Sequence, residues 1–161
     1  MPPGYEFLAK DLAELLLRRY YPERTNEESA LLKDFLLARG RLYDRFEFSV
    51  RVGQGIAPDP AHLAEIQAQS KVNYQKRIDL IVWQGRQPTI VELKLRLNAG
   101  VIGQLRQYRF LLLEDRPGLE EPRLMALARY SDGDTLRVVR SEGIDVILYE
   151  LEEPTLEPAA G

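Results

Sequence analysis

Two carboxylates and one ammonium stand inside runs of sequence that are otherwise apolar. Asp79 lies in Arg77-Ile78-Asp79-Leu80-Ile81-Val82-Trp83, and Glu92 and Lys94 lie in Thr89-Ile90-Val91-Glu92-Leu93-Lys94-Leu95. The turn residues Gly85-Arg86-Gln87-Pro88 separate the runs. Side chains alternate along a strand, so Asp79 shares a face with Ile81 and Trp83, whereas Ile78, Leu80 and Val82 take the other. A hairpin turning between Gly85 and Arg86 sets Asp79 directly opposite Glu92. Like charges placed opposite each other destabilise a sheet, and a cation between them reverses that sign. Oxygen ligands alone favour Mg²⁺ or Mn²⁺ over zinc. The plainer readings are a strand acid paired with Arg77 or Lys76, and a Lys94 that merely bridges to Glu92 or to Glu47.

The elements that must hold these groups can be read from periodicity and punctuation. Residues 5–20 have the pattern of an amphipathic helix, ended at Tyr21-Pro22. A second helix runs over 25–39, with Thr25 as cap and Gly40 as stop. Residues 45–52 alternate as a strand, with Phe46, Phe48, Val50 and Val52 on one face. After Gly/Pro punctuation at 53–60, a short polar helix to about Ser70 is expected, followed by the hairpin. Then come a helix over 101–114, a strand over 123–130, a short helix opened by Asp132-Gly133-Asp134, and a strand over 144–151. From residue 26 the order is α-β-β-β-α-β-α-β, which implies a mixed sheet covered on both faces. Residues 1–151 read as one domain, and the acidic tail 152–161 as disordered.

Composition narrows the chemistry. With no cysteine among 161 residues there is no disulfide or thiolate site, and His62 is the sole histidine. No apolar run approaches the roughly 20 residues of a membrane span, and the start does not resemble a signal peptide, so a cytoplasmic protein is expected. The net charge is −3, but residues 71–109 hold 8 basic groups and only 2 acids, Asp79 and Glu92. A basic field around two isolated carboxylates suits a polyanion brought to a metal; arginines coating solvated faces would give the same count.

The chain resembles the restriction-endonuclease-like superfamily, the PD-(D/E)XK nucleases. Asp79 matches the motif aspartate and Glu92-Leu93-Lys94 the (D/E)XK element, with Ile78 where the motif name has proline. Gln104 and Tyr108 match the Gln-x-x-x-Tyr of recombination-type members, and the combination is similar to NucS-type endonucleases. The resemblance covers residues 26–151. It implies an α-β-β-β-α-β core, here with an extra N-terminal helix and a C-terminal α-β extension. It also implies a Mg²⁺-dependent (or Mn²⁺-dependent) nuclease, with DNA favoured over RNA as substrate, and metal ligands Asp79, Glu92 and a glutamate of the first core helix. Glu28 falls near the centre of that helix's apolar stripe and Glu27 about 110° away; Thr25-x-x-Glu28 is equally a capping box. In this frame Lys94 handles the attacking water and the phosphate charge, and Gln104 and Tyr108 orient Lys94 or touch the backbone. Arg96, Arg106, Arg109, Tyr74 and Lys76 are further candidate nucleic-acid contacts. His62 has nothing in the sequence to position it as a base. Two other readings remain open: a catalytically inactive accessory module of the same fold, of phage or mobile-element type, that binds nucleic acid or protein, and a homodimer or partner surface on 5–20.

Overall fold

In the computed structural model, residues 5–55, 64 and 75–151 are described. Helices flank one six-stranded sheet whose strands lie in sequence order. The elements are β1 (Tyr5–Leu8), α1 (Leu12–Leu17), α2 (Asn26–Arg39), β2 (Arg45–Val52), β3 (Lys76–Gln84), β4 (Gln87–Arg96), α3 (Gly100–Asp115), β5 (Arg123–Tyr130), α4 (Gly133–Ser141) and β6 (Asp145–Leu148). β1 to β4 pair antiparallel, and β4, β5 and β6 pair parallel. The sheet is therefore mixed, and the expected order α-β-β-β-α-β-α-β is the order found. The expected polar helix before Ser70, His62, Tyr74 and the tail 152–161 lie outside the described residues. Among the described residues, no helix is long and apolar enough to cross a membrane.

Each face of the sheet carries its own core. On one side Leu31, Leu32, Phe35 and Leu36 of α2 pack with Phe46, Phe48, Leu80, Val82, Val91 and Leu93. On the other, Val101, Leu105, Tyr108 and Leu112 of α3 and Val139 of α4 pack with Ile81, Trp83, Ile90 and Ala126. Burying a Leu or Phe side chain contributes about 1.5–3 kcal/mol, so these two layers carry most of the fold. Thr25 caps α2 by accepting from the Glu28 amide at 3.2 Å, and Asp132 caps α4 by accepting from the Thr135 amide at 2.8 Å.

Three expectations need correcting. Residues 5–20 are not one helix: Tyr5–Leu8 is an edge strand on β2, and only Leu12–Leu17 is α-helical. Four residues cannot separate a period of 2 from one of 3.6, and the open edge of β2 takes the strand, with the Phe7 ring meeting the Phe48 ring edge-on at 5.8 Å. The Asp11 carboxylate then accepts from the Leu8 amide at 2.8 Å and turns the chain toward α1. Gly40 has φ −54° and is not a left-handed stop; a side chain there would meet Leu12 Cδ1 at 2.7 Å, so glycine serves the approach of α1.

The faces of β2 and β3 also depart from simple alternation, and the departure shapes the site. Phe46 and Phe48 belong to the α2 core, whereas Val50 and Val52 pack with the α3 core instead of continuing on the same face. Ile78 likewise joins the α3 core, away from Leu80 and Val82. The switch occurs at Ser49, a non-glycine residue at φ 51°, a conformation few such residues adopt. The β2–β3 ladder skips the position where Ser49 would meet Asp79. The Ser49 hydroxyl donates to the Pro22 carbonyl at 2.9 Å, which holds the kink.

Candidate functional site

The β3–β4 register is the one the turn residues predict: Gln84 opposite Gln87, Ile81 opposite Ile90, Leu80 opposite Val91. The paired ladder ends there, one step short of Asp79 and Glu92. Beyond Leu80 the Asp79 carboxylate itself takes the place of a strand partner, accepting from the Leu93 amide through Oδ2 at 2.9 Å. Both ladders of β3 are therefore interrupted at Asp79. The cleft at this gap is lined from both layers, by Arg24 of the turn before α2 and Glu28 of its first turn, and by Gln104 and Tyr108 of α3. Its volume is ≈ 450 Å³, and Arg51, Lys76, Arg77, Asp79, Glu92 and Lys94 complete its charged wall.

Within the cleft, Asp79 and Glu92 are 5% and 4% exposed. Burial, and then the neighbouring Asp79 charge, push the Glu92 pKa up to about 9, against a smaller opposing pull from Lys94. Burial also raises Asp79, with Arg24 and the Leu93 amide acting against it. In the metal-free pair both carboxyls are thereby shifted toward the protonated form. Lys94 Nζ lies 3.7 Å from Glu92 Oε1, while Glu47 is taken up by Arg116 and Arg45. Glu92 Oε2 is buried with no hydrogen-bond partner among the described residues. Gln104 Nε2 donates to the Tyr108 hydroxyl at 2.9 Å. Burial, and after it the Glu92 charge, push the Tyr108 pKa up to about 12.

Glu28 does two things at once. Its Oε1 accepts from the Thr25 amide at 3.2 Å, which closes the capping box, and its Oε2 accepts from Arg24 Nη1 at 3.2 Å inside the cleft. Glu27 is exposed and away from the cleft. Of the nucleic-acid candidates, Lys76 and Tyr108 line the cleft. Arg96 is exposed at the far end of β4, Arg106 pairs with Glu142, and Arg109 lies 3.8 Å from Glu121.

Arg24 escaped the sequence reading. Its side chain is 2% exposed, and Nη1 contacts both Asp79 Oδ1 and Glu28 Oε2. The turn before α2 delivers it. The Tyr21 amide donates to Ser29 Oγ at 3.1 Å, the Tyr21 ring stacks on Phe48, and Glu23 sits at φ 57°. The one available signal was its i, i+4 spacing to Glu28 across the cap.

Among the described residues, no group of three or more acids or histidines is placed to hold a metal ion. Asp79 and Glu92 stand as a pair, with Arg24 between Asp79 and Glu28. The residues still suit a hard divalent cation. All donors are oxygen, Glu92 Oε2 is buried with no donor directed at it among the described residues, and a cation would replace the proton that burial favours on this pair.

No family model matches the chain, and no curated protein matches it. Two solved structures are similar at low identity. One is a repair endonuclease from Pyrococcus abyssi, with 16% identity and a TM-score of 0.44, matched over 81% of this chain and 49% of that one. The other is EndoMS in its dsDNA2 complex, with 13% identity and a TM-score of 0.44, matched over 85% of this chain and 50% of that one. The chain spans about half the length of each.

Proposed function

We propose that the chain is a metal-dependent nuclease of the PD-(D/E)XK superfamily, acting on DNA, of a NucS-like or recombination-type branch. One observation carries this reading. A buried carboxylate pair, with one Glu92 oxygen unmet among the described residues, lies beside Lys94 in a cleft whose wall is otherwise rich in cations. With Glu28, Asp79 and Glu92 ionised, Arg24, Arg51, Lys76, Arg77 and Lys94 still leave the lining net positive, which favours a phosphate backbone.

Asp79 and Glu92 would hold the cation, with Glu28 joining when Arg24 releases it. A bound Mg²⁺ or Mn²⁺ supplies charge neutralisation and Lewis-acid polarisation of the phosphodiester. The chain's own residues do the rest. Lys94 donates to the attacking water or to a non-bridging phosphate oxygen and offsets the charge that grows there. Gln104 and Tyr108, fixed by their mutual hydrogen bond, orient the Lys94 side of the site. Lys76 and Arg77 at the start of β3 hold the backbone in register. A cytoplasmic setting and a homodimer through the N-terminal strand and helix belong to the same proposal.

The test is cleavage of single-stranded, double-stranded, branched and mismatched DNA with Mg²⁺ or Mn²⁺. Cutting that disappears in Asp79→Ala supports the reading; cutting unchanged in that variant, or none on any substrate, overturns it. A non-catalytic binding module draws on one specific observation, that Arg24 already neutralises Asp79 without a metal. DNA binding without cutting, unaltered by Asp79→Ala, decides for that module.

A further inference from the structure

The contacts of Arg24 are lopsided. A single nitrogen, Nη1, serves two carboxylates, while Nε and Nη2 are buried with no hydrogen-bond partner among the described residues. An arginine kept for stability alone is expected to spend its fork on paired bonds, as Arg116 does with Glu47 at 3.0 and 2.7 Å. Nor is the position of Arg24 slack. The turn that carries it holds Glu23 in the left-handed region and is pinned through Ser29 and through the Ser49 hydroxyl on the Pro22 carbonyl. A buried charge so firmly delivered, and so poorly satisfied, has its use in where it stands.

We propose that Arg24 is a built-in counter-cation that competes with the divalent metal for Asp79 and Glu28 and so sets how readily the site loads. The inference rests on the metal-site reading above. A guanidinium and a dication on the same carboxylate oxygen would repel strongly at the intermediate dielectric of a partly buried cleft, so one must leave for the other to bind. With Arg24 in place the acids are held together and their charge is offset. With Arg24 withdrawn, Asp79 Oδ1 and Glu28 Oε2 become available beside the unmet Glu92 Oε2. Metal affinity is thereby lowered in the resting protein, which limits occupation by adventitious cations.

The test is a calorimetric Mn²⁺ titration of the full chain without nucleic acid, comparing the wild type with Arg24→Gln and Arg24→Lys. Arg24→Gln is expected to bind Mn²⁺ about tenfold more tightly or better, since one opposing charge has been removed from contact. Arg24→Lys, which keeps the charge, stays near the wild type. Affinity that is unchanged or weaker in Arg24→Gln overturns the inference while leaving the metal site standing. No Mn²⁺ binding by the wild type or Arg24→Gln at millimolar concentration overturns both. Should Arg24→Gln fail to fold, wild-type crystals soaked in Mn²⁺ decide. Metal bound with Arg24 Nη1 withdrawn from Asp79 supports the inference, and metal bound with that contact intact overturns it.

Discussion

Two arginine–carboxylate clusters sit on the same sheet, and they are built differently. At Glu47, two guanidinium nitrogens of Arg116 meet two carboxylate oxygens, Arg45 adds a contact at 3.5 Å, and Glu47 is the sole acid of that trio. At Asp79, three acids share one buried arginine and one lysine contact, two donors of the arginine and one oxygen of Glu92 are unmet among the described residues, and burial pushes both Asp79 and Glu92 toward protonation. A cluster that serves stability satisfies its own atoms. One that leaves charges and lone pairs unmet is less stable than the fold could make it, a pattern associated with function.

The sharpest way to break the contrast is to neutralise one acid in each cluster. Glu92→Gln mimics the protonated side chain that burial favours, so the fold is kept and is expected to gain on the order of 3 kcal/mol or more at pH 8, while cutting falls on the order of 10³-fold. Glu47→Gln should do the reverse, losing about 1–2 kcal/mol from a charge-assisted pair whose arginine is partly solvated and cutting within about twofold of wild type. Urea unfolding and a cleavage assay on both variants give the four numbers. If the two variants lose stability alike, the distinction between the clusters is gone.

Lys94 comes next in size. Lys94→Ala removes the ammonium beside Glu92 and should lower the cleavage rate on the order of 10²-fold with Mn²⁺ affinity at least as high as before, because a nearby positive charge is lost. A Lys94 that only salt-bridges Glu92 would leave the rate at saturating Mn²⁺ unchanged.

Proton linkage offers a smaller but independent handle. Glu92 titrates near 4.5 when unfolded and about 9 when folded, so between those values the folded chain binds more protons. Stability of the metal-free protein is then greatest at the acid end of that window and is lost as pH rises through it, with a slope of up to about 1.4 kcal/mol per pH unit. Glu92→Gln should flatten that slope, whereas Glu47→Gln should leave it in place. For the same reason Mn²⁺ affinity should climb with pH up to about 9, since the cation must displace the proton.

Much of the contrast was legible in the sequence, and the part that was not has a common cause. The hairpin register followed from the turn at Gly85-Arg86 and from two alternating runs, because local chemistry decides both. Glu28 as cap followed from Thr25-x-x-Glu28. The kink at Ser49 was hidden, since alternation over 45–52 is unbroken in sequence and the reversal of faces comes from one residue's φ and a hydroxyl bonded to Pro22, 27 positions away. Arg24 was hidden for the same reason. It lies outside every regular element, and its partner Asp79 is 55 positions on. The strand Tyr5–Leu8 exists because β2 has an edge to offer. Local pattern exposes what short-range chemistry decides, and this site is completed by long-range contacts.

The smallest expected effect separates the two roles of Glu28. Glutamine at the third helical position still completes a capping box, so Glu28→Gln should change stability by under about 0.5 kcal/mol, and any larger functional change must come from the cleft. If Glu28 joins the metal when Arg24 withdraws, Mn²⁺ affinity falls about tenfold. If it serves only to hold Arg24 on Asp79, loosening that contact raises affinity instead, in the direction expected for Arg24→Gln. Glu27→Gln, one residue earlier on the exposed side of the same turn, should alter neither quantity. The sign of the Glu28→Gln shift therefore assigns the glutamate to the metal or to the arginine, and a null result would return it to the helix cap alone.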